Sequence, residues 1–425
     1  MSLGVHTVTV TPRSGAAVDI TCLVDSVSMQ HGRQDTDSQP AASSCTLDIS
    51  FDSGETPVPG ALDVGASITV TTELAGHTYT RFHGAISDIS QGWVEAGPDT
   101  PDAVVAQVIA TGPLASLGRR VVGDVPWPQQ LDGARVAAIM AAAGVTLDPA
   151  YSDPGTVQVI PTDVDSQPAL DLAQGVGSDS GGMLWETVAG EIRYADAEHR
   201  RGTAPALELD ACDVLVTPTW RRTTEGMVNA VSIGYGVAPE GGEAPRYVAQ
   251  RDDSITKWGE YGLSSTTQLA AAADAQALGS LLLTQNHDPV WVMSALPVDI
   301  KSLSDADTAT LLELDIHGLI SLTGMPAVGG VPTSAALWVE GWTESLTWAT
   351  HDLELVVSGY CRTSPPPRWN DVNPASTWDS MGTQTWDDVS CLGPLVNLGR
   401  WDDTPASTRW NLVPAGITWD TWPTP

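Results

Sequence analysis

The chain has 425 residues, 42% of them hydrophobic, a length that predicts roughly two to four domains with cores of their own. Its 52 acidic residues outnumber its 19 basic residues, and the formal net charge is −33. A field of this sign repels phosphate groups and anionic membranes, so it argues against nucleic-acid binding by charge neutralisation.

The N-terminal stretch MSLGVHTVTVTP has no basic segment followed by an apolar one, and no segment reaches the ~18 apolar residues of a membrane span. We therefore expect neither a secretory signal nor a membrane anchor, and a protein made inside a cell. The five cysteines are widely spaced and form no CxxC pair, a pattern typical of buried free thiols.

Residues 1–95 show the alternation of β-strands. The stretches VHTVTVT, ASSCTLDIS, SITVTTE and YTRFHGAISDI alternate apolar and polar residues, with glycine- and proline-rich turns between them. Short strands at this spacing predict a small barrel or sandwich, which we take as a first β domain.

Residues 96–204 change to a mixed pattern and predict an α+β insert. Asp132 is expected to cap a helix that ends at Gly144, and Ser166 to cap a second helix, because apolar residues follow each at helical spacing. The stretches GMLWETV and EIRYAD then predict two strands around a tight turn.

Residues 205–362 return to strands and predict a second β domain. The stretches are DVLVTPTW, MVNAVSIGYG, PVWVMSALPVDI, LISLT, ALWVEGWTESLTW and HDLELVVSGY. One helix interrupts them, with residues 265–268 (STTQ) as its predicted capping box. The proline-rich stretch TSPPPR, residues 363–368, follows as a stiff linker with which the last segment, 363–425, begins.

Residues 363–425 are rich in tryptophan and contain a two-copy repeat, RWNDVNPAST from Arg368 and RWDDTPAST from Arg400. Most of the rings precede an Asp or Asn, and few aliphatic residues lie between them. The segment therefore predicts an extended arm without a core of its own. The candidate interaction residues are Trp369, Trp378, Trp386, Trp401, Trp410, Trp419 and Trp422.

Catalytic and metal-binding motifs are weak throughout. Residues 178–182 (SDSGG) match a serine-protease loop but have no partner histidine in a recognisable context, and the eight histidines lack metal-ligand spacing. Glu340 and Glu344 flank Trp342 on a predicted strand, and such a carboxylate pair could serve a glycosidase. We expect no catalytic residue, no cofactor, no metal site and no enzymatic activity.

Several stretches resemble the minor tail proteins of siphophages that infect actinobacteria. They are the turn at Gly32 and Arg33, the F-x-G-x-[IV]-x-D strand at residues 82–88, and the helix-then-hairpin block ALDLAQGVGSDSGGMLWETVAGEIRYAD. The stretch NAVSIGYG…DDSITKWGEYG resembles the start of the second barrel of tail hub proteins. The tryptophan repeats are similar to C-termini of the same phage proteins.

The resemblance implies a mainly β hub protein, with two tail-tube-like β-barrel domains, the α+β insert and the C-terminal arm. In that family a trimer forms a pseudo-sixfold ring that continues the tail tube. The implied place is the virion tail tip, after assembly in the host cytoplasm. The implied partners are the distal tail protein, the tape measure protein and other tail-tip proteins. Another minor tail component, such as a sixfold distal ring or a receptor binder, is an alternative.

The resemblance suggests functions for the negative charge and for the C-terminal arm. A lumen of negative potential would let genomic DNA pass without specific binding. Equally, the acidity could only keep an assembly protein soluble. Each docked tryptophan buries about 150–250 Å², so the arm is expected to dock on this subunit, a neighbouring copy or another tip protein. The same rings beside carboxylates could instead contact host cell-wall glycan, which would make the chain a glycan-binding or glycan-processing tail protein.

Overall fold

The computed structural model describes residues 5–35, 38–52, 62–94, 103–201, 203–211, 219–240, 242–326 and 330–359. All of them belong to the first of the two units into which the chain divides, 1–365. The tryptophans predicted to form the interaction arm, like Cys212, Cys361 and Cys391, lie outside the described residues. The division at residues 95, 204 and 362 stays a prediction.

The secondary structure is mainly β. The strands of the N-terminal part are β1 Val5–Thr11, β2 Val18–Asp19, β3 Val24–Gly32, β4 Ser44–Asp52, β5 Ser67–Leu74, β6 His77–Val94 and β7 Ala103–Thr111. The next elements are α1 Leu114–Leu117, β8 Val121–Val122, β9 Gln130–Leu131, α2 Asp132–Ala142, β10 Gln158–Val159, β11 Gln167–Pro168, α3 Ala169–Ser180, β12 Met183–Glu186 and β13 Ile192–Ala195.

The remaining elements are β14 Leu207–Asp210, β15 Arg221–Arg222, β16 Ala230–Gly234, β17 Arg246–Gln250, α4 Asp252–Trp258, β18 Gly262–Thr266, α5 Ala272–Asn286, β19 Trp291–Val292, β20 Ala295–Val298, α6 Asp305–Glu313, β21 Leu319–Thr323, β22 Ala335–Thr347 and β23 His351–Gly359. Short 3₁₀ turns lie at Thr21–Leu23 and Ile300–Ser302.

A single mixed sheet of twelve strands contains most of the β structure. Its order is β14-β21-β22-β3-β4-β7-β6-β5-β1-β2, with β23 paired to β22 and β20 paired to β23. The β14–β21 pair is parallel and the other pairs of this sheet are antiparallel. Strands of the expected first and second β regions therefore share one sheet, and no pairing among the described strands closes either region into a barrel.

Strand β22 joins the two regions. Along one edge it pairs with β21 through residues 335–338 and then with β3 through residues 341–347, while β23 pairs along its other edge. The change of neighbour coincides with a register shift between Val339 and Gly341. A β-bulge of this kind bends a strand and raises its twist, which allows one strand to serve two differently oriented parts of a sheet.

Four main hydrophobic clusters lie beneath these elements. The first contains side chains of β1 and β3–β7 together with Leu346 of β22, and the second contains side chains of β12, β14 and β20–β23. The third lies inside the insert, around α2 and α3. The fourth lies between α5 and the sheet of β16–β18. Leu346 is 1% exposed within the first cluster, so the second β region completes the core of the first.

The predicted insert helices and hairpin are present, but neither predicted cap is. Helix α2 begins with Asp132 as its first residue, Leu131 holds the N-cap position without a side-chain hydrogen bond, and β12 pairs with β13. Ser166 does not cap α3, because the chain continues through β11, which pairs with β8, and the helix begins only after Pro168. The side chain of Asp132 instead accepts hydrogen bonds from the backbone N–H groups of Thr156 and Val157.

The segment 228–286 differs most from the prediction. Strands β17, β16 and β18 form a separate three-stranded sheet covered by α5, outside the large sheet. Ser265 of the predicted capping box lies within β18, paired with Ile233, and α5 begins only at Ala272. The stretch DDSITKW, expected at the start of a second barrel, forms α4.

The cysteine expectation holds for one described thiol and fails for another. Cys45 is buried within the first core cluster, whereas Cys22 is exposed. Burial raises the pKa of the Cys45 thiol and keeps it protonated.

Candidate functional site: two buried ion-pair centres on strand β22

Strand β22 carries two fully buried glutamates, Glu340 and Glu344, which are 0% and 1% exposed. An isolated carboxylate at such depth would cost several kcal/mol, on the order of the penalty for any unpaired buried ion. Each carboxylate is therefore expected to have cationic and hydrogen-bonding partners. The partners come from distant parts of the chain.

Glu340 binds two arginines. Arg33, directly after β3, approaches Oε2 with Nε at 2.8 Å and Nη2 at 2.6 Å. Arg200, which follows β13, donates from Nη1 to Oε1 at 2.8 Å and from Nη2 to Oε2 at 2.7 Å. The hydroxyl of Ser358 on β23 also donates to Oε1. One carboxylate thus connects the first β region, the insert and the second β region.

The charge of Glu340 is fixed by this geometry. Burial alone would raise the pKa of the carboxyl group, but Arg200 and Arg33 outweigh burial and lower the pKa to about 2. Nε of Arg200 also donates to Nδ1 of His317 at 2.8 Å. Burial and the neighbouring arginines hold the pKa of His317 well below its ordinary value, so its ring is neutral and can accept this bond.

Glu344 has one arginine and one histidine as partners. Arg81 of β6 donates from Nε at 3.0 Å and from Nη2 at 2.8 Å to Oε2, and its Nη1 donates to the carbonyl oxygen of Leu312 at 2.6 Å. Nε2 of His351 lies 2.7 Å from Oε1. Burial acts to raise the pKa of Glu344, but Arg81 and the hydrogen bond from His351 lower it to about 2. This centre connects β22 to β6 and β23.

Two further histidines surround the Glu344 centre. His31 of β3 donates from Nε2 to the carbonyl oxygen of Arg81 at 2.8 Å, and its ring lies 4.9 Å from that of Trp342. The ring of His6 contacts that of His351 edge-on at 5.1 Å. Burial, aided by nearby positive charge, lowers the pKa of both His31 and His6 to about 4. Both rings are neutral at pH 7.

Two glycines bring β3 and β22 together at this site. Gly32 pairs with Gly341. A Cβ atom on Gly341 would lie 2.4 Å from the carbonyl oxygen of His31, and one on Gly32 would lie 2.4 Å from that of Glu340. Gly32 also has φ +73°, a conformation that favours glycine. The turn at Gly32 and Arg33 thus has two tasks: it permits close backbone approach and it delivers Arg33 to Glu340.

A similar buried carboxylate ties the insert to the first β region. Glu186, at the end of β12, accepts from the backbone N–H of Ser43 at 2.5 Å and from that of Leu114 at 2.6 Å. Burial raises its pKa above the usual range, against the effect of these bonds. The first β region and the insert are therefore joined through backbone groups, without a counter-ion.

The arrangement leaves these carboxylates no route to a substrate. A glycosidase needs one acid that keeps its proton and two carboxyl groups open to a sugar, whereas Glu340 and Glu344 are both ionised, arginine-bound and buried. The bulge at residue 340 also breaks the alternation that suggested a shared face with Trp342 and Glu344.

The serine-protease-like stretch, the metal sites and the membrane spans that the sequence analysis considered can also be compared with the structure. Ser180 of the SDSGG stretch lies at the end of α3 and donates to the carbonyl oxygen of Val176 at 2.8 Å. Within the described ranges, no group of three or more His, Cys, Asp or Glu side chains is placed to hold a metal ion. None of the helices that the structure describes is both long and apolar enough to cross a membrane.

Sequence reasoning missed the arginines. Arg33 was noted only as part of the Gly32–Arg33 turn, Arg81 directly precedes the motif of residues 82–88, and Arg200 lies in no motif. None was given a role, although each is 8% exposed or less. The sequence analysis singled out Glu340 and Glu344 as a carboxylate pair that flanks Trp342. The signal for their burial is that both charges interrupt the otherwise apolar stretch ALWVEGWTESLTW. The predicted tryptophan site at residues 363–425 lies outside the described residues and stays a prediction.

Comparisons with known proteins support the fold. No family model and no curated protein sequence matches the chain. Among solved structures, a 43 kDa tail protein of prophage MuSo2 from Shewanella oneidensis matches with a TM-score of 0.57 at 10% identity, over 86% of this chain and 100% of that one.

Two further tail proteins match over similar lengths. A tail protein from Neisseria meningitidis MC58 has a TM-score of 0.57 at 12% identity, over 84% of this chain and 98% of its own. The prophage tail protein gp18 from Listeria monocytogenes EGD-e has a TM-score of 0.52 at 10% identity, over 83% and 94%. The chain, with its β regions fastened together by the ion pairs of β22, therefore has the fold of these tail proteins.

Proposed function

We propose that the protein is a structural component of a phage tail, and more specifically a homotrimeric hub at the tail tip of a long-tailed phage. In this proposal the two β regions of each subunit correspond to two tube-like domains. Three subunits then form a pseudo-sixfold ring that joins the tail tube to the tip. Its neighbours are the distal tail protein, the tape measure protein and other tip proteins.

The observation that carries the proposal is the likeness to three tail proteins over at least 83% of the chain. A likeness of that extent includes both β regions and the insert between them, so it favours a role that uses the whole assembly. Fold alone does not define function, and the site has to support it. Here the site is a set of buried ion pairs that hold segments of the chain together, which suits a structural protein that transmits force between neighbouring tail proteins.

The ion-pair centres support a rigid subunit. Glu340 fixes three parts of the chain to one another, and Glu186 fixes the insert to the first β region through two backbone bonds. Truncation of one partner in such a buried pair costs about 3–5 kcal/mol, so the relative placement of the β regions is strongly specified. A ring built from these subunits would keep a constant channel width.

The net charge of −33 supports the channel role. A lumen with a negative potential repels DNA phosphates and lets the genome slide through without specific binding. The proposal includes no enzymatic activity, because the carboxylate pair that most resembled a catalytic pair is buried and bound to arginines.

Negative-stain electron microscopy of the purified full-length protein tests the symmetry. We expect class averages with a threefold ring and a central hole. Immunogold labelling of intact virions tests the location, and we expect gold at the tail tip. A sixfold ring would assign the protein to the distal tail position instead, and virions without label on the tail would overturn the tail role altogether.

A further inference from the structure

Two exposed features, far apart in the sequence, have complementary chemistry. One is an outward-pointing tryptophan in an uncharged turn, and the other is an immobilised arginine on a sheet face. We propose that Trp348 of one copy of this chain docks on Arg246 of a second copy. The proposal rests on the ring assembly proposed above and assigns a specific contact to it.

Trp348 lies at the tip of the β22–β23 hairpin and is 94% exposed, more than any other large hydrophobic residue that the structure describes. Thr347 holds the turn: its N–H donates to the carbonyl oxygen of Thr350 at 3.0 Å, and its hydroxyl accepts from the backbone N–H groups of Ala349 and Thr350. The ring is therefore presented on a rigid base. A tryptophan is enriched at the energetic centre of protein interfaces, and little entropy is lost when its base is already fixed.

The second feature is a face of the three-stranded sheet, which we call the serine face and define as Ser232, Arg246, Val248 and Ser264. Register places Ser232 of β16 between Val248 of β17 and Ser264 of β18. The alternate residues Val231 and Ile233 face the core under α5, so the serine face is the outer one. Val248 is 71% exposed on it.

Arg246 lies flat on this face. Its Nε donates to Oγ of Ser232 at 2.7 Å, and its Nη2 donates to the carbonyl oxygen of Ser232 at 2.7 Å, to Oγ of Ser264 at 2.8 Å and to the carbonyl oxygen of Ser265 at 3.0 Å. Nη1 crosses above Gly234, where a Cβ atom would lie 3.3 Å away. None of these acceptors is a carboxylate, so the positive charge remains and the planar group is exposed beside Val248.

An immobilised guanidinium plane next to an aliphatic side chain suits an aromatic ring. Arginine stacks on tryptophan through cation–π attraction, and the attraction grows when water is excluded. The protein already uses this contact internally, because the guanidinium carbon of Arg200 lies 5.2 Å from the ring centroid of Trp338. The serine face provides the same partner at the surface.

A second copy is favoured as the occupant because this chain itself carries an exposed ring, Trp348, that the cationic serine face would bind. Two chains of net charge −33 repel each other, so they can approach only through surfaces without excess acid. The turn at residues 345–350 has no charged residue, and the serine face is cationic. Because the two surfaces differ, the contact is heterologous, and a contact of that type generates a ring when its rotation closes.

Sedimentation velocity of the full-length protein tests the contact, with Trp348→Ala, Arg246→Ala and Arg246→Lys as variants. Val125→Ala, at another exposed valine, is the control. We expect Trp348→Ala and Arg246→Ala to weaken association on the order of 30-fold, as for an interface hot spot. Arg246→Lys should also weaken it, because lysine keeps the charge without the plane. The control should associate like the wild type, and circular dichroism should show that every variant is folded.

A mixture of Trp348→Ala and Arg246→Ala gives the sharpest result. Each variant keeps the surface that the other lacks, so one intact contact can form per mixed pair. We expect mixed dimers and no rings. Wild-type association in both single variants would overturn the contact and leave the tail role standing, since virion labelling decides that role.

Other outcomes also overturn the contact. A wild type that stays monomeric at its highest soluble concentration would do so. If Arg246→Ala associates as strongly as the wild type while Trp348→Ala does not, the contact would be a symmetric one between two Trp348 rings. A Trp348→Ala variant that assembles normally but no longer binds purified cell-wall polysaccharide would make the ring a glycan contact.

Discussion

The two ion-pair centres of β22 lie four residues apart and are neutralised differently. Glu340 faces two arginines, whereas Glu344 faces one arginine and a histidine. The Glu340 centre holds three parts of the chain together and the Glu344 centre holds two. The comparison shows how one strand can join two β regions. The glutamate at which three segments meet binds two arginines, and the glutamate at which two segments meet binds one.

The largest expected effect is at Glu340. Glu340→Leu leaves Arg33 and Arg200 side by side and buried without a carboxylate, and it should lower the free energy of unfolding by about 3–5 kcal/mol. Glu344→Leu should cost about 1–2 kcal/mol less, because it leaves only one arginine, Arg81, without a carboxylate. Arg81 also keeps its hydrogen bond to the carbonyl oxygen of Leu312. Urea unfolding of the full-length protein measures both.

Glu354→Gln, on the exposed side of β23, is the matched control and should change little. If Glu340→Leu and Glu344→Leu cost the same within about 0.5 kcal/mol, the number of arginines at each centre does not govern its strength.

The second effect concerns the backbone between the centres. Gly341→Ala places a Cβ atom 2.4 Å from the carbonyl oxygen of His31 and forces β3 away from β22. We expect a loss of about 1–3 kcal/mol in the free energy of unfolding, the range of overpacking in a core. Gly359→Ala is the control, because a Cβ atom there meets no atom within 4 Å. Equal melting temperatures for the two variants would contradict the close approach.

The third effect is a pH dependence at the Glu344 centre. His31 packs beside the Glu344 centre, and its pKa is about 4 in the folded protein against 6.5 when unfolded. The unfolded state therefore binds a proton first as the pH falls, so stability is lost below pH 6.5 and continues to fall towards pH 4. From pH 7 to pH 5 this one histidine should remove about 2 kcal/mol.

His31→Gln keeps a donor for the carbonyl oxygen of Arg81 and cannot titrate. It should reduce the loss of unfolding free energy between pH 7 and pH 5 by that amount, as followed by urea titrations at each pH. His77→Gln, at an exposed histidine, is the matched control. An unchanged pH dependence in His31→Gln would mean that the ring is not held neutral by its surroundings.

The smallest effect is at Ser358. Its hydroxyl donates to Glu340, but the same carboxylate keeps both arginines when that bond is removed. Ser358→Ala should therefore cost about 1 kcal/mol, a single hydrogen bond to a charged group with other partners. A loss as large as that of Glu340→Leu in the same urea experiment would show that the hydroxyl, and not the arginines, fixes the carboxylate.

Local pattern was sufficient for the elements whose stability is local. Helix α2 after Asp132 and the hairpin of β12 and β13 were predicted close to their observed bounds, since helical spacing and a tight turn specify them. Ser166 and Ser265 misled for the opposite reason. Each lies in or beside a strand whose pairing partner is remote, β8 in one case and β16 in the other, and that pairing outweighs the capping preference.

The site lies furthest from what sequence can reveal. Arg33 and Arg81 are 307 and 263 residues from the glutamates that they bind, and Arg200 is 140 residues from Glu340. Pairing over such separations follows from the order in which distant strands assemble into the sheet, and a local sequence pattern carries no information about that order. The sequence analysis named Glu340 and Glu344 only as a pair that flanks Trp342, and their position within an apolar stretch is the signal that would have indicated burial.

The shared strand has a consequence for synthesis on the ribosome. Leu346 completes the core of the N-terminal β region, and β22 supplies the neighbour of β3. At 5–20 residues per second, β22 is made roughly 15–60 s after β3. During that interval a nascent chain has a finished row of N-terminal strands but an open edge at β3. On a polysome, the β22 of an adjacent, further-advanced chain could pair with that edge, so sparse ribosome loading should favour monomers with their own strand in place.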